Sequence, residues 1–332
     1  MTQRTVFTAF NRRRATAALG AALLAASLSP LAHAQDARPA RLLLGFPAGG
    51  SFDAIARLLA EKLKTELGRP VIVDNKPGAG GRIAMDLMKN APADGSVVMF
   101  APGAITSLYP YTVAKLNYDP KKDLAPIGTV AEFPFAVAVS ASSKVTNLRE
   151  LIAAAKANSA QAMFGTPAVG APPHFYGLAF GEAAGVKLDP IPFQGSAPVN
   201  QALMGNQIPM GVDVMGSMVE NHKGGKIRVL AVSTEQRAPQ LPDVPTFAEQ
   251  GFASVTGGDF NALFAPAGIP APALAAWSKA LSNVLAQAEV KDKLLTMGFI
   301  PVGKGPEELA NRAAAQAKRW EAIVKSSGFV AQ

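Results

Sequence analysis

The sequence of 332 residues has no cysteine, only three histidines and few charged side chains, which make up 17% of the chain. Without cysteine the protein has no disulfide framework, no thiol nucleophile and no cysteine to carry a lipid. One histidine, His33, lies in a leader that we expect to be removed. The other two, His174 and His222, make a poor zinc site in the absence of cysteine. We therefore expect no metal and no cofactor.

The sequence also lacks the motifs of several enzyme classes. It has neither a Gly-x-Ser-x-Gly elbow nor a Gly-Lys-Ser or Gly-Lys-Thr phosphate loop. The segment Gly78–Ile83 fails the dinucleotide pattern, because Ile83 stands where the third glycine or alanine belongs. A hydrolase built on a Ser51–His174 pair is not excluded by these absences. Taken together, they disfavour an enzyme.

The N-terminus has the order of a secretory signal peptide. Arg4 and Arg12–Arg14 give a basic region, Ala15–Leu28 is apolar, and Ala32–Ala34 has the small-x-small pattern of a cleavage site. The apolar run is shorter than the roughly 20 residues that a membrane helix needs, and no later stretch reaches that length. We predict cleavage of residues 1–34 and a soluble periplasmic protein, exported by the Sec or the twin-arginine route.

Removal of the leader also changes the charge of the protein. The whole chain has 32 basic and 24 acidic residues, and the leader holds four of the basic residues and none of the acids. The mature chain then has 28 basic and 24 acidic residues, a net charge of +4. This charge favours anionic ligands only mildly and gives no reason to expect nucleic-acid binding.

Strands, glycine-containing loops and helices alternate along the mature chain. The apolar run Arg41–Phe46 is typical of a buried strand, and Ile55–Leu67 has the apolar spacing of a helix that ends at Gly68. The same alternation restarts near residue 135. It predicts an α/β protein with two mostly parallel sheets flanked by helices.

Two such units predict two lobes that face a ligand cleft. Extended crossovers near residues 135–140 and 258–265 would join them. We place residues 35–138 and 262–332 in lobe 1 and residues 139–261 in lobe 2.

Three segments each follow a predicted strand and open a predicted helix: 47–53, 165–173 and 194–198, which we call loops 1, 2 and 3. The first turn of a helix has unpaired N–H groups and a partial positive charge, and glycine lets a ligand approach the backbone. The three loops contain hydroxyl donors but no Lys or Arg. We expect a carboxylate to be held mainly by neutral donors and water. Plain strand-to-helix turns remain the alternative for each loop taken alone.

Four residues near these loops have specific expected roles. Asp53 and Asp213 can orient a ligand or its waters, and Asp53 can equally be a first-turn acid that complements the helix dipole. His174 is expected to donate a hydrogen bond at the start of a helix rather than to act as a base. Gly50 is expected to lie close to the ligand with a positive φ angle.

Several motifs follow one another along the chain in a characteristic order. They are Phe46–Asp53 with Arg57, Val73–Gly81, Ala93–Gly95, Tyr118–Pro120 with Asp123–Pro126, Pro192–Pro198, Arg237, Leu241–Gly251 and Ala265–Gly268. Each motif alone is weak, but together they cover nearly the whole mature chain. In this order they resemble the Bug (TctC) family of periplasmic solute-binding proteins, which serve tripartite tricarboxylate transporters.

The resemblance implies a two-lobed type II periplasmic-binding-protein-like fold. It also implies a small carboxylate ligand, held by backbone amides, hydroxyls and bridging waters. By position it assigns the ligand-binding residues. These are Pro47, Ala48, Gly49, Gly50, Ser51 and Asp53 in loop 1, Gly165, Thr166, Val169, Gly170 and His174 at loop 2, and Gln194, Gly195 and Ser196 in loop 3, with Asp213 behind them.

The sequence departs from the family pattern in two places. Loop 2 has Pro167, Ala168 and Ala171 where the family tends to have serine or glycine. The segment Asp259–Ala262 replaces what is usually a tryptophan, an aromatic residue and a glycine. Both departures concern the identity of the ligand rather than the fold.

The main hypothesis for function is a monomeric periplasmic receptor. It would capture one carboxylate-bearing metabolite and deliver it to the membrane permease of a tripartite tricarboxylate transporter. The alternative is a periplasmic sensor that presents its carboxylate to a signalling partner.

Overall fold

The computed structural model describes residues 38–330, so the predicted signal peptide lies outside the described residues. Within residues 38–330, no helix is long and apolar enough to cross a membrane.

The described part of the chain alternates between strands and helices. The strands are β1 Ala40–Leu44, β2 Val71–Asn75, β3 Val97–Pro102, β4 Leu124–Ser140, β5 Met163–Thr166, β6 Asp189–Pro192, β7 Met210–Val214, β8 Ile227–Val232, β9 Gly258–Pro266 and β10 Ile300–Lys304. The helices are α1 Ser51–Leu67, α2 Arg82–Lys89, α3 Ala104–Ser107, α4 Tyr109–Thr112, α5 Leu148–Ala157, α6 Pro172–Ala184, α7 Ser196–Met204, α8 Val219–Lys223, α9 Ala271–Ala286, α10 Ala288–Thr296 and α11 Pro306–Ser326.

The first half of the sheet is built on three parallel strands. β1 lies between β2 and β3, and its three leucines, Leu42–Leu44, are buried. This burial explains why β1 is a continuous apolar run, as in other parallel sheets covered on both faces. β9 pairs antiparallel with the outer side of β3.

The second half repeats this arrangement. β5 lies between β6 and β7, and all three strands are parallel. β7 pairs antiparallel with β4, and β8 pairs antiparallel with the same strand. The two halves therefore have the same order of elements, in which loops 1, 2 and 3 each join a parallel strand to a helix.

The long strand β4 belongs to both halves. Residues Leu124–Pro134 pair with β9, whereas residues Phe135–Ser140 pair with β7 and β8. The change falls at Pro134, which has no N–H group to donate to a ladder. The sequence indicated only the last part of this strand, near residues 135–140.

The chain returns to the first half between β8 and β9. Ser233, in this returning segment, forms hydrogen bonds with β4 at the point where β4 passes from one half to the other. Its Oγ accepts the N–H of Phe135 at 2.8 Å and donates to the carbonyl of Gly257. Its own N–H bonds the carbonyl of Phe135 at 2.9 Å. Sheet pairing therefore changes at 134/135 and at 257/258. The predicted lobe boundaries lie a few residues later and remain a prediction.

Candidate functional site

The carboxyl ends of the parallel strands in both halves converge on one stretch of β4. β3 ends at Pro102, which pairs with Asn261 of β9, and Asn261 pairs with Ala131 of β4. From the other half, β7 ends at Val214, which pairs with Phe135 of β4. The two paired positions on β4 lie four residues apart, which is about 13 Å at a rise near 3.3 Å per residue. Because open α/β sheets bind ligands beyond the carboxyl ends of their strands, this junction is the candidate site.

Loop 1 lies on the first-half side of the junction. Its residues Pro47–Gly50 are exposed. The Phe46 ring stacks on Phe52, with centroids 4.8 Å apart, and Phe52 contacts Phe133 of β4 at 5.4 Å. These aromatic contacts fix the base of loop 1 against the strand that both halves share.

Asp53 holds loop 1 in shape. Its Oδ2 accepts the N–H of Gly49 at 2.9 Å and Nε of Arg57 at 2.8 Å, and its Oδ1 accepts Nδ2 of Asn75 at 2.9 Å. Burial raises the pKa of Asp53, but the hydrogen bonds from Arg57, Gly49 and Asn75 and the charge of Arg57 outweigh it and leave the pKa below its usual value. Both carboxylate oxygens are thus used within the protein. Asp53 is a positioning residue, and a direct ligand contact by Asp53 remains a prediction.

Replacing Asp53 with asparagine should lower the free energy of unfolding at pH 7 by about 2 kcal/mol, because a charged acceptor of three hydrogen bonds is lost. The folded pKa lies below the ordinary value of 3.8. The contribution of the carboxylate is therefore present above that pH and is lost as the pH falls further. Urea unfolding of both proteins at pH 7 and at pH 3 should show the difference shrinking. Equal stability at pH 7 would contradict this role.

The backbone of loop 1 corrects one expectation from the sequence. Gly50 has φ −82°, which any residue adopts, whereas Gly49 has φ +84° and is the residue that needs glycine. The Gly49 N–H that bonds Asp53 explains the tight turn at this position. A Cβ on Gly50 would meet nothing closer than the carbonyl oxygen of Pro47, at 3.7 Å.

Loop 2 is buried for most of its length, and His174 is built into its fold. His174 is 3% exposed, and its Nδ1 accepts the N–H of Gly170 at 3.2 Å. At the helix start Nδ1 of His174 therefore accepts rather than donates, and donation by its Nε2 remains a prediction. Burial lowers the pKa of His174 to about 4, so the ring is neutral at neutral pH and carries its proton on Nε2. Phe164 and Phe329 lie around the ring.

Hydrogen bonds link loop 2 to loop 3 and to the first half of the protein. Gly195 in loop 3 donates its N–H to the carbonyl of Pro167 at 3.0 Å, which brings loops 2 and 3 together. Thr112, at the end of α4 in the first half, donates its hydroxyl to the carbonyl of Gly170 at 3.2 Å. Of the predicted contact residues here, Gly165, Thr166 and Gly170 are buried, whereas Val169 is 37% exposed. In loop 3, Gln194 is exposed and Ser196 is half-buried.

Helix N-termini follow all three loops. The N-cap residues of α1, α6 and α7 are Gly50, Ala171 and Gly195, and none of these helices has a side-chain cap. In α5, by contrast, Asn147 accepts the N–H of Glu150. Since α6 begins with two prolines, which lack N–H groups, α1 and α7 offer more donors to an anion.

Asp213 lies behind loop 3, at the end of β7. It is fully buried, and its Oδ1 accepts the N–H of Val214 at 2.7 Å. Burial raises the pKa of Asp213 to about 6, against the lowering effect of the nearby Ser196 and Ser217 hydroxyls and of the Val214 N–H. Neither hydroxyl forms a hydrogen bond with Oδ2, and that of Ser217 donates to the carbonyl of Val214. The structure therefore brings Asp213 together with loops 2 and 3, whereas loop 1 lies at the opposite edge of the junction.

Five buried side-chain atoms have no hydrogen-bond partner among residues 38–330. They are Oγ1 of Thr166, Oδ2 of Asp213, Oγ1 of Thr234, Oδ2 of Asp259 and Nδ2 of Asn261.

All five belong to the junction. Thr166 ends β5, Thr234 follows β8, and Asp213, Asp259 and Asn261 pair with residues 136, 133 and 131 of β4. More than 90% of buried polar groups in proteins are paired, so this concentration marks a polar binding site. Sequence reasoning did not assign Thr234, Asp259 or Asn261 to the site, although Asp259 and Asn261 interrupt an apolar strand.

Two other concavities lie beside α2 and are not part of this junction. They enclose about 300 and 740 Å³ and share Asp86 and Leu87 in their linings. Neither contains a predicted site residue or an unpartnered buried atom. Within the described residues, no group of three or more His, Asp or Glu side chains is placed to hold a metal ion.

The fold has two α/β halves with polar loops at their junction. This is the architecture of two-lobed solute-binding proteins. The model of the tripartite tricarboxylate transporter family receptor matches residues 55–329. The chain belongs to this family, and the resemblance seen in its motifs is confirmed.

Relatives and solved structures agree with this assignment. Protein BugT of Bordetella pertussis is 30% identical over 325 residues, which are 96% of this chain and 98% of BugT. The structure of R. palustris Rpa4515 with adipate has a TM-score of 0.85 at 28% identity, covering 89% of this chain and 99% of that one. MatC from Rhodopseudomonas palustris with bound malate has a TM-score of 0.80 at 27% identity, covering 86% and 99%. The predicted fold class is confirmed by these similarities.

Proposed function

We propose that this protein is a periplasmic solute-binding receptor that captures a small carboxylate-bearing metabolite at the junction on β4. The observation that carries the proposal is the set of five unpartnered buried polar atoms at the junction, which has loop 1 on one side and loops 2 and 3 on the other. Relatives of the same family with adipate and malate bound support a carboxylate as the ligand.

Neutral donors hold the carboxylate in this proposal. Loops 1, 2 and 3 contain no Lys or Arg, and the nearest cation on α1, Arg57, bonds Asp53. The N–H groups at the starts of α1 and α7 and the hydroxyl of Thr166 face the anion. The hydroxyl of Ser196 supplies a further donor beside Asp213. Such donors act strongly in a buried site, where water does not screen them.

The family of the chain supports a periplasmic location for the receptor. We propose that residues 1–34 direct export and are cleaved, and that the mature protein acts as a monomer without catalysing a reaction. Its protein partner is the membrane permease of a tripartite tricarboxylate transporter, to which it delivers the ligand.

A thermal-shift screen of mono-, di- and tricarboxylates and small aromatic acids tests the proposal. A ligand present at 100 times its Kd stabilises the folded protein by ~2.7 kcal/mol and raises its melting temperature. For the best ligand, Thr166→Val should raise Kd by about three- to tenfold, because it removes a donor that costs the unliganded protein no hydrogen bond. Thr65→Val, at an exposed position on α1, is the matched control and should leave Kd unchanged.

Calorimetric Kd values for the three proteins decide the outcome. If no acid in the screen raises the melting temperature, the proposed function is wrong. If a ligand binds and Thr166→Val has no more effect than Thr65→Val, the junction is not the binding site.

A further inference from the structure

Two polar residues interrupt the apolar strand β9. Asp259 and Asn261 are 1% and 0% exposed, and their neighbours Phe260, Ala262 and Leu263 are buried apolar residues. Because side chains alternate along a strand, Asp259 and Asn261 share one face of β9, about 7 Å apart. Burial of two polar side chains in this way is unfavourable unless they have partners.

Each of the two side chains has one partner and one free atom. Oδ1 of Asp259 accepts the N–H of Phe260 at 2.7 Å, and Oδ1 of Asn261 accepts the N–H of Ala131 at 3.0 Å. Oδ2 of Asp259 and Nδ2 of Asn261 have no partner among the described residues. These hydrogen bonds fix the orientation of both groups. Above the pKa of Asp259, which burial raises to about 7, Oδ2 is a free acceptor beside the free donor Nδ2 of Asn261.

The surroundings provide room for the Asp259 carboxylate but no cation that pairs with it. A Cβ on Gly103, where α3 begins, would lie 2.8 Å from Oδ1 of Asp259, so glycine there makes space for the carboxylate. The charge of Arg319 acts on Asp259. Its guanidinium bonds the hydroxyl of Tyr176 at 3.2 Å and the carbonyl of Thr256 at 2.9 Å instead.

The position of the pair relates it to the carboxylate site. Asp259 pairs with Phe133 and Asp213 pairs with Ala136, so the two acids lie three positions apart along β4, on strands from different halves. A carboxylate held by loops 1, 2 and 3 has no hydrogen to donate to the free acceptor Oδ2 of Asp259. A ligand group with N–H bonds can donate to this oxygen, and any oxygen beside that group can accept a hydrogen bond from Nδ2 of Asn261.

We infer that Asp259 and Asn261 form a second recognition point, which selects a small carboxylate that also carries an N–H group, either an amine or an amide. This inference rests on the proposed carboxylate-binding function and names the class of ligand. Hydrogen bonds to charged acceptors are stronger than those to neutral ones, so the N–H group should improve binding about tenfold or more.

Matched sets of ligands test this inference by calorimetry on the full mature chain at pH 8, where the Asp259 carboxyl, with a pKa raised to about 7, is ionised. One set is succinate, L-aspartate and succinamate, a second is glutarate, L-glutamate and glutaramate, and a third is benzoate with its 3-amino and 3-carbamoyl derivatives. Within at least one set, an N–H-bearing compound should bind about tenfold more tightly than its parent acid. An amine preferred over an amide identifies a cationic group, and the reverse order identifies a neutral one.

Variants then assign the preference to Asp259. Asp259→Asn keeps an acceptor but removes the charge, so it should abolish a preference for the amine and retain one for the amide. Asp259→Leu should abolish both preferences. Asp213→Asn is the matched control on the other half, because it should change binding of parent and N–H-bearing compounds alike and leave their ratio unchanged. Melting curves confirm that each variant is folded.

The outcomes separate this inference from the proposed function. Parent acids that bind at least as tightly as their N–H-bearing counterparts in every set would overturn the inference and leave the proposed function intact. A ratio that is unchanged in both Asp259 variants would do the same. If no compound of any set binds while another acid of the thermal-shift screen does, the inference alone is wrong. If no acid of the screen binds, the inference falls together with the proposed function.

Discussion

Replacing Gly45 with alanine should lower the free energy of unfolding by about 3 kcal/mol, at the upper end of what overpacking typically costs. Gly45 lies between β1 and loop 1. The position of its missing side chain faces the backbone of Gly81, in the glycine-rich segment 78–81 that follows β2. A Cβ on Gly45 would overlap the Cα of Gly81 and lie 3.2 Å from its carbonyl carbon and oxygen. Neither backbone can yield as a flexible side chain would, so the two segments must separate.

The same substitution should weaken ligand binding, because separation of these segments moves loop 1. Gly50→Ala is the matched control, since a Cβ on Gly50 has 3.7 Å of clearance and the residue has φ −82°. We expect its stability to stay within about 0.5 kcal/mol of the parent protein. Urea unfolding of the three proteins, followed by calorimetry with the best carboxylate, measures both effects. Equal stability of the Gly45 and Gly50 variants would contradict the close approach of the two segments.

Asp259→Asn should stabilise the protein at high pH and leave its stability unchanged at low pH. Burial raises the pKa of Asp259 to about 7, against the hydrogen bond from the Phe260 N–H, the charge of Arg319 and the nearby N–H of Ala104, which does not bond the carboxylate. The unfolded carboxyl titrates near 3.8. Between these values the unfolded state releases its proton while the folded state retains it, so stability falls as the pH rises.

The expected size of this effect follows from the shift in pKa. One pKa unit corresponds to 1.36 kcal/mol, so the cost of Asp259 relative to a neutral residue grows to about 4 kcal/mol above pH 7. At pH 4 the cost has fallen below about 1 kcal/mol, and it vanishes below about pH 3, where both states are largely protonated. The groups that face Asp259 besides Arg319 are the phenols of Tyr109 and Tyr176.

Urea unfolding at pH 4, 6 and 8 measures the difference between the parent protein and Asp259→Asn. His174 acts in the opposite direction, because its lowered pKa costs stability as the pH falls below 6.5. The difference between the two proteins removes that contribution, which both share. Asp292→Asn, at an exposed position on α10, is the control and should stay within about 0.5 kcal/mol of the parent. A stabilisation by Asp259→Asn that does not vary with pH would show that the carboxyl is not buried without a partner.

A residue that destabilises the folded protein at neutral pH is explained by binding rather than by folding. Asp53 and Asp259 illustrate the contrast. Both carboxylate oxygens of Asp53 accept hydrogen bonds from the protein, and its pKa lies below the usual value. One oxygen of Asp259 is unpartnered and its pKa rises, which is the pattern expected at a functional site.

Local features of the fold could be predicted well from the sequence. The helices Arg82–Lys89 and Pro306–Ser326 begin and end where their apolar spacing and flanking residues indicate. Asn147 caps α5 as its spacing to Glu150 predicts, although Glu150 accepts from the N–H of Thr146 rather than from Asn147. Caps and helical periodicity act over a few residues, so the sequence contains their cause.

The strand β4 shows where such reasoning ends. Residues 124–134 have mixed composition, with two prolines and three glycine or alanine residues, and do not indicate a strand. They become one because β9 and β10 pair with them from distant parts of the chain. β-structure depends on these partners more than on intrinsic propensity.

The sequence by itself determined the family, the alternating α/β order and the three loops from which a carboxylate site is built, because these depend on motifs and local periodicity. Only the tertiary structure decided how individual polar atoms are used. It gave the positive φ angle to Gly49, made His174 an acceptor, and left atoms of Asp259 and Asn261 unpartnered. The partner of a buried polar atom depends on the register between strands that are far apart in the sequence, and no local pattern specifies that register.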